Sequence, residues 1–324
     1  MDRREFIGSV AGGLLALPLS TTAQQPGKVP VVGVLNIAVG PRSFTVDTTR
    51  QGLRDLGYVE GQTIVFQVRF AGGNTEAYPA FAADLVRRKV DVLLVSGPAA
   101  VRAAREATST IPIVALDLES DPVGAGFARS FAKPGGNMTG CFLDQPGLTG
   151  KWLELIGAAV PGTRRIAVLR DPSTGPWQLA AIKGGAEKLR IELQVLEIRS
   201  AGELDHALEV GVNAGSRALV QLSSPLFDYQ HQRIADLTAK HRLPAISLFR
   251  RFAEAGGLMS YGPSQVEYTK RLAVYIDKIL WGAKPADLPI EQPTKFDFVI
   301  NLKTAKALGL TLPQSLQVQA ELIG

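Results

Sequence analysis

The stretch SDPVGAGFARSFAKPGGNMTG, residues 120–140, gathers a Gly-x-Gly, a Gly-Gly and several other turn formers into one short segment. Such a cluster serves either as a phosphate cradle or as a turn between structural units, and what precedes it decides which. Four apolar runs of strand length lie upstream: residues 28–36 (KVPVVGVLN), 63–70 (TIVFQVRF), 90–96 (VDVLLVS) and 111–117 (IPIVALD). A dinucleotide loop places its glycines directly after the first strand of such a series, with a helix N-terminus aimed at the phosphates. Here they follow the fourth run, whereas the first ends in Asn36-Ile-Ala-Val-Gly40, and no Gly-x-x-x-x-Gly-Lys-Ser/Thr occurs. The phosphate reading fails on position, and the stretch reads as a junction.

On its N-terminal side the Val- and Ile-rich runs are nearly continuous in apolar character. Amphipathic segments separate them, such as residues 78–88, where Phe81 and Leu85 share a face opposite Arg87 and Arg88. Strands buried on both faces and alternating with helices indicate a parallel sheet covered on both sides. On its C-terminal side the pattern restarts at 165–170 (RIAVLR), 192–198 (ELQVLEI), 218–222 (ALVQL) and 243–248 (LPAISL), with Ser200 and Glu203 spaced as a capping box. Two series of similar length predict two α/β lobes rather than one large sheet. A third segment adds a short strand at 258–261 and a helix opened by Ser264 and Glu267. Val266, Leu272, Ile276 and Ile279 recur on that helix until Gly282. A strand at 298–301 and a helix at 303–308 follow. Leftover segments of this kind return to complete each lobe in turn, and several crossings make a hinge.

Residues 1–23 hold Arg3-Arg4, an apolar run from Ile7 to Leu19 and small residues at Thr21 and Ala23, which is the layout of a cleaved export signal. The run is shorter than the roughly 20 residues that span a bilayer. It fits either the twin-arginine or the general secretion route, and both lead to the periplasm. The chain of 324 residues is 46% hydrophobic and 20% charged, with a net charge of +5, ordinary for a globular protein. No run of Lys and Arg with interleaved aromatics supports a nucleic-acid partner. The single cysteine, Cys141, excludes an intrachain disulfide. His206, His231 and His241 lack metal-ligand spacing, so neither metal nor cofactor is expected.

The segments Asp121-Pro-Val-Gly-Ala-Gly126 and Lys133-Pro-Gly-Gly-Asn-Met-Thr-Gly140 resemble the signature of the ABC-transporter substrate-binding family that includes tryptophan- and tyrosine-binding lipoproteins. Gly52-Leu-Arg-Asp-Leu-Gly-Tyr-Val-Glu-Gly61, Pro98-Ala-Ala100, Leu153-Glu-Leu155, Lys284-Pro-Ala-Asp287 and Val299-Ile-Asn-Leu-Lys-Thr-Ala-Lys306 agree in order and spacing. The resemblance covers nearly the whole chain beyond residue 28. It implies the type I periplasmic binding protein fold: two Rossmann-like α/β lobes, three crossing segments forming a hinge, and a ligand cleft between the lobes. The expected division is 29–142 plus 257–285 for the N-terminal lobe and 143–256 plus 286–324 for the C-terminal lobe. Asn137 to Phe142 lead into the first crossing, with Gly256-Gly257 and Pro285 at the second and third. Asp121-Pro is expected to make a turn and open a helix. The resemblance also implies a monomer that delivers its solute to an ABC permease and its ATPase, with a receptor subunit for a membrane sensor as the alternative.

Ligands of such folds bind beyond the carboxyl ends of parallel strands. Those positions are Asn36, Ser96, Gly97, Pro98, Ala99, Asp117, Ser120 and Asp121 in the first lobe, and Arg170, Asp171, Ser173, Ser223, Ser224, Phe249 and Arg250 in the second. Ser96 and the N-H groups at the following helix start suit a carboxylate, and Trp177 and Phe249 suit an aromatic or apolar ligand face. A Ser or Asp in such a place is more often a helix cap than a ligand contact, Asp121 above all, and Trp177 equally suits a gap between helix and sheet. Where the amino-acid binders that this chain resembles carry an acidic residue after the strand at 244–248, Phe249-Arg250-Arg251 stands instead. The loop after Leu222 likewise lacks an acid. Positive charge there repels an ammonium, so the expected ligand is a carboxylate-bearing or neutral, aromatic solute rather than an ordinary α-amino acid.

An exported enzyme is the competing reading. The sequence offers no nucleotide loop, no Gly-x-Ser-x-Gly elbow and no Cys/His pair. Glu119 and Asp121 are paired carboxylates, but two acids near a turn say little about catalysis.

Overall fold

The apolar runs form the strands of two separate sheets in a computed structural model that describes residues 28–36, 43–72 and 74–324. The expected export signal lies outside the described residues. In the first sheet β1 (Val31–Asn36), β2 (Val65–Phe70), β3 (Val92–Ser96), β4 (Ile113–Asp117) and β5 (Met138–Phe142) run parallel in the order β2-β1-β3-β4-β5. The second holds β6 (Arg165–Arg170), β7 (Glu192–Glu197), β8 (Ala218–Gln221), β9 (Ala245–Ser247), β10 (Met259–Pro263), β11 (Phe296–Asn301) and β12 (Glu321–Ile323). Its order is β12-β11-β10-β9-β8-β6-β7, and only β10 and β11 pair antiparallel. Helices cover both sheets, as the continuous burial of β3 and β4 requires. This is the type I periplasmic binding protein architecture of two α/β lobes.

The opening stretch is the junction between β4 and β5, but not in the expected form. Asp121 does not start a helix. Its Oδ1 accepts the Val123 N-H at 2.9 Å, and the Phe127 and Ala128 N-H groups return to the Pro122 carbonyl. Gly124 and Gly126, the latter at φ +72°, keep the segment in successive turns. β5 then joins the first sheet, so the chain crosses only after Phe142. Gly140 in β5 sits at φ +144°, and a Cβ there would lie 1.9 Å from the Ala115 carbonyl oxygen. Only glycine permits that approach.

Two crossings lie further along the chain than the sequence suggests. Gly256, at φ +106°, and Gly257 end the short helix Arg250–Glu254 inside the second lobe. β10 pairs with β9 and β11, and the chain leaves the lobe at Ser264. Helix Gln265–Leu280 then packs on the first lobe across helix Phe44–Asp55, where a Cβ at Gly52 would be 2.7 Å from that of Ala273. Pro285 stays in the first lobe too. Ala286 accepts from the Gly135 N-H, Ile290 donates to Phe131, and Glu291 bridges to Cys141. The third crossing falls between Glu291 and β11. By strand pairing the lobes are therefore residues 28–142 with 264–291, and 143–263 with 296–324.

Helix ends depart from expectation in detail. Ser200 and Glu203 bond each other, Oγ to Oε1 at 2.9 Å, and Glu203 accepts from the Arg199 N-H, so the box closes one residue early. Ser264 makes no side-chain cap. Glu267 instead lies 3.7 Å from Lys295. Leu272, Ile276 and Ile279 are buried as the periodicity predicts, whereas Val266 is exposed. In the second lobe Trp152 is wholly buried and its Nε1 donates to the Tyr261 carbonyl at 2.7 Å, which resolves its one polar atom.

Candidate functional site

The carboxyl ends of the two sheets face each other across two adjoining chambers that share Ser96, Gly97, Pro225 and Tyr229 as a common wall. The larger encloses about 460 Å³. On the first-lobe side it is built around helix Pro98–Ala107, which begins where β3 ends. Gly97, at φ +85°, makes the turn, Pro98 contributes no N-H, and the Val101 N-H bonds to the Gly97 carbonyl at 3.1 Å. Ala99 and Ala100, both on the chamber wall, carry the N-H groups that a first helical turn leaves without intrahelical partners. Such an end favours an anion. Tyr78 and Tyr229 supply aromatic surface, with Pro172, Pro225 and Leu226 beside them.

The smaller chamber, about 220 Å³, has a different chemistry. Glu119 enters from the loop after β4, Asp228 from helix Pro225–Tyr229 and Arg251 from helix Arg250–Glu254. Gln265 and Tyr268 come from the first turn of helix Gln265–Leu280, directly after the second crossing. Glu119 is 3% exposed, and its Oε1 accepts the Ser223 hydroxyl of the opposite lobe at 2.5 Å. Burial pushes its carboxyl up to about 8; the neighbouring charges of Asp117 and Asp171 add to this, and the Ser223 bond opposes it. Burial likewise raises Asp228 against the pull of Arg251, whose Nη2 bonds Asp228 Oδ2. Asp228 Oδ1 and Arg251 Nε are shielded and have no hydrogen-bond partner. Burial also raises the Tyr268 phenol.

The structure gathers Asn36, Ser96, Gly97, Pro98, Ala99, Asp171, Ser173 and Phe249 of the expected residues onto these walls. The others lie elsewhere. Asp117 is buried and caps its own loop, accepting from the Glu119 and Ser120 N-H groups at 3.0 and 2.9 Å. Ser224 caps helix Pro225–Tyr229 and donates to Asp171 Oδ2 at 2.6 Å, while Asp171 Oδ1 accepts from the Ser173 N-H. Ser223 is held by Gln178 through both its backbone groups and spends its hydroxyl on Glu119. Arg170 pairs with Glu197. The Trp177 ring lies against Gly124 of the other lobe, where a Cβ would come within 2.6 Å, in a groove beside the first crossing rather than in either chamber.

Arg250 requires a correction of substance. Its guanidinium is held by Glu321 at 2.5 and 2.6 Å and by Glu254 at 2.7 Å, and it faces an outer cavity with Gly262 and Pro263. Its charge is neutralised away from the chambers, so it gives no ground for excluding an ammonium. Arg251 does reach the smaller chamber, but bound to Asp228. Carboxylates reach the smaller chamber from other elements, as Glu119 and Asp228. Among the wall residues that strand-end reasoning passed over are Tyr78, Arg199, Tyr229, Glu119, Asp228 and Arg251. The loop after β2 leads to Tyr78, and the helix after β8 continues to Asp228 and Tyr229.

Further contacts hold the lobes together over the chambers. Arg102 donates to the Ser173 carbonyl at 3.1 Å, and a Cβ on Gly97 would meet Pro225 Cγ at 3.0 Å. A cleft between lobes, closed by contacts of this kind, can bind a small molecule by closing on it.

Known proteins share this architecture. The chain is 24% identical over 291 residues to the tyrosine-binding protein of Clostridioides difficile, covering 86% of this chain and 81% of that one. A conserved domain protein from Vibrio cholerae superposes with a TM-score of 0.83 at 26% identity over 92% of this chain and all of that one. A Streptococcus ABC domain in complex with L-Trp superposes with a TM-score of 0.82 at 24% identity, again over 92% of this chain and all of the other. A sequence model of ABC transporter substrate binding proteins matches residues 32–323, and the chain belongs to that family.

Proposed function

We propose that this protein is the exported solute-binding component of an ABC importer, one that closes its lobes over a small carboxylate with an aromatic or apolar body. The observation that carries this is the 460 Å³ chamber between the lobes, with the free N-H groups of Ala99 and Ala100 at one wall and Tyr78 and Tyr229 at others. The carboxylate docks on the helix end, where backbone donors are fixed before it arrives. Its apolar body lies against the tyrosines, burying area at about 25 cal/mol per Å². Relatives that bind tyrosine and L-Trp support this class of solute. Because the solute touches both lobes, it stabilises the closed form by its differential affinity for that form. A membrane permease and its ATPase then receive the solute from the closed lobes, and the export-signal layout around Arg3-Arg4 supports a periplasmic location.

A thermal-melt screen of the chain from Gln24 onward, against amino acids, aromatic acids, dicarboxylates, nucleosides and sugars, tests the reading. A solute at about 100 times its dissociation constant adds roughly 2.7 kcal/mol of stability, or several degrees. A shift with carboxylates of apolar body is expected. Shifts confined to sugars or nucleosides would refute the anion dock.

A further inference from the structure

We propose that the groove beside the first crossing is a receptor for a basic side chain, arginine above lysine, of the membrane partner that recognises this protein with its lobes closed. This rests on the preceding reading that a closed, loaded form is handed to a permease. The groove encloses about 350 Å³ and shares no wall residue with either solute chamber. The first lobe supplies Asp121 and Phe131, and residues 143–146 of the first crossing form the floor. The second lobe supplies Trp177, whose ring meets Gly124 across the lobe boundary. This wall is whole only where the lobes meet, so a partner seated on it reads closure.

Three observations define the occupant. Asp121 and Asp144 are the charged residues on the wall, and neither has an ion-pair partner among the described residues. Asp121 Oδ1 accepts the Val123 N-H, and Asp144 makes no side-chain cap to the helix it precedes. The N-termini of helices Gln145–Ala159 and Trp177–Leu189 open on the same groove, each contributing about half a positive charge. Against two carboxylates they leave about one negative charge, the complement of a single monovalent cation. The lining is otherwise apolar, from Trp177, Phe131, Leu143 and Pro146. Such a surface packs the methylene stem of a basic side chain, and an indole face attracts its charged end. A bare metal ion gains nothing from it. Finally, Gln145 on the same wall is 4% exposed; its Nε2 donates to the Leu118 carbonyl, and its Oε1 is shielded and has no hydrogen-bond partner. A buried acceptor left unmet is costly, and a guanidinium brings several N-H donors in a fixed plane, which favours arginine.

The experiment is a nuclear magnetic resonance titration of the isotope-labelled chain from Gln24 onward with N-acetyl-arginine methylamide, which presents the side chain as a partner's backbone would. Saturable shifts are expected at the Trp177 indole and the Gly124 amide. N-acetyl-citrulline methylamide, alike in shape but uncharged, should bind at least about fivefold more weakly. Asp121→Asn and Asp144→Asn should each weaken the arginine derivative about threefold and spare the citrulline one; asparagine at 121 keeps the acceptor for the Val123 N-H. Gly124→Ala, whose Cβ would stand 2.6 Å from the Trp177 ring, should displace the ring and weaken both derivatives with the charges untouched. Equal binding of the two derivatives, no saturable shift, or indifference to both aspartate variants would overturn the receptor. Tighter binding of n-butylguanidinium than of the blocked arginine would overturn it too, because the groove would then suit a free small cation. The two readings fail separately: Asp144 lines neither chamber, so Asp144→Asn leaves solute-induced melting shifts in place, and the arginine titration needs no solute.

Discussion

The two chambers hold their polarity in opposite ways. In the larger one a helix end supplies a backbone pole, made of a glycine turn, a proline without an N-H and two amide groups at a helix start, while Arg199 and Asp171 also reach the wall. In the smaller one the polarity is side-chain charge, from Glu119 in the loop after β4 and from Asp228 and Arg251 in two short helices of the second lobe. A backbone pole is fixed by local conformation and does not titrate. A side-chain pole depends on burial, and burial is complete only when the lobes meet. The first can therefore seize a solute in the open protein, and the second can judge it on closing.

Breaking the backbone pole should have the largest effect. Gly97→Val places a branched side chain at φ +85° against Pro225. Backbone strain of about 1–2 kcal/mol adds to a steric block of closure. Solute affinity should fall by a hundredfold or more, checked by calorimetry, with a near-normal circular dichroism spectrum. Survival of tight binding would mean the helix end is not the dock.

The side-chain pole should show itself in the shape of the free protein. Burial holds Glu119 raised to about 8 in the closed form, whereas an open cleft hydrates it and returns it to the ordinary carboxylate range. A group raised in this way favours the closed form fully below its ordinary pKa, and loses that contribution as pH rises through about 8. Small-angle scattering without solute should show a larger radius of gyration at pH 8.5 than at pH 5.5, and Glu119→Gln should remove the difference. An equal pH response in the variant would assign the effect to other groups.

Two neighbouring arginines give the smaller contrasts. Arg251→Ala leaves Asp228 without its partner in a partly exposed pair. It should cost about 1 kcal/mol, a shift of a few degrees or less in melting temperature, and should alter solute affinity severalfold. Arg250→Ala removes a charge already paired outside the chambers. Its solute affinity should stay within about twofold of wild type. If Arg250 proves the more important of the two, the placement of the charges is wrong.

What could be read from sequence follows the same division. Strands buried on both faces announce themselves as continuous Val and Ile runs, and the helix start at Ser96-Gly-Pro98 follows from its position after β3. The wall it forms was legible for that reason. Glu119 and Asp228 were not, because nothing local separates a carboxylate aimed into a cleft from one that caps a turn. Asp117 and Glu119 stand two residues apart, and only one of them lines a chamber. Arg250 and Arg251 are adjacent, and helical rotation sends them to different partners. The crossings were displaced because Gly256 and Pro285 signal the end of an element, not the lobe to which the next one belongs.

The crossings themselves set the kinematics of the molecule. Two residues separate β5 from helix Gln145–Ala159, one separates β10 from helix Gln265–Leu280, and four separate Glu291 from β11. A proline stands at or beside each, Pro146, Pro263 and Pro293, and fixes one of the two soft torsions at its position. Three tethers so short forbid the lobes to slide past one another and leave a rotation about the line that joins them. Cys141, Ser264 and residues 292–295 surround a cavity of about 340 Å³ next to that axis. As the solute cleft narrows by angstroms at its mouth, this cavity near the axis changes little, so the work of closure is concentrated where the solute lies.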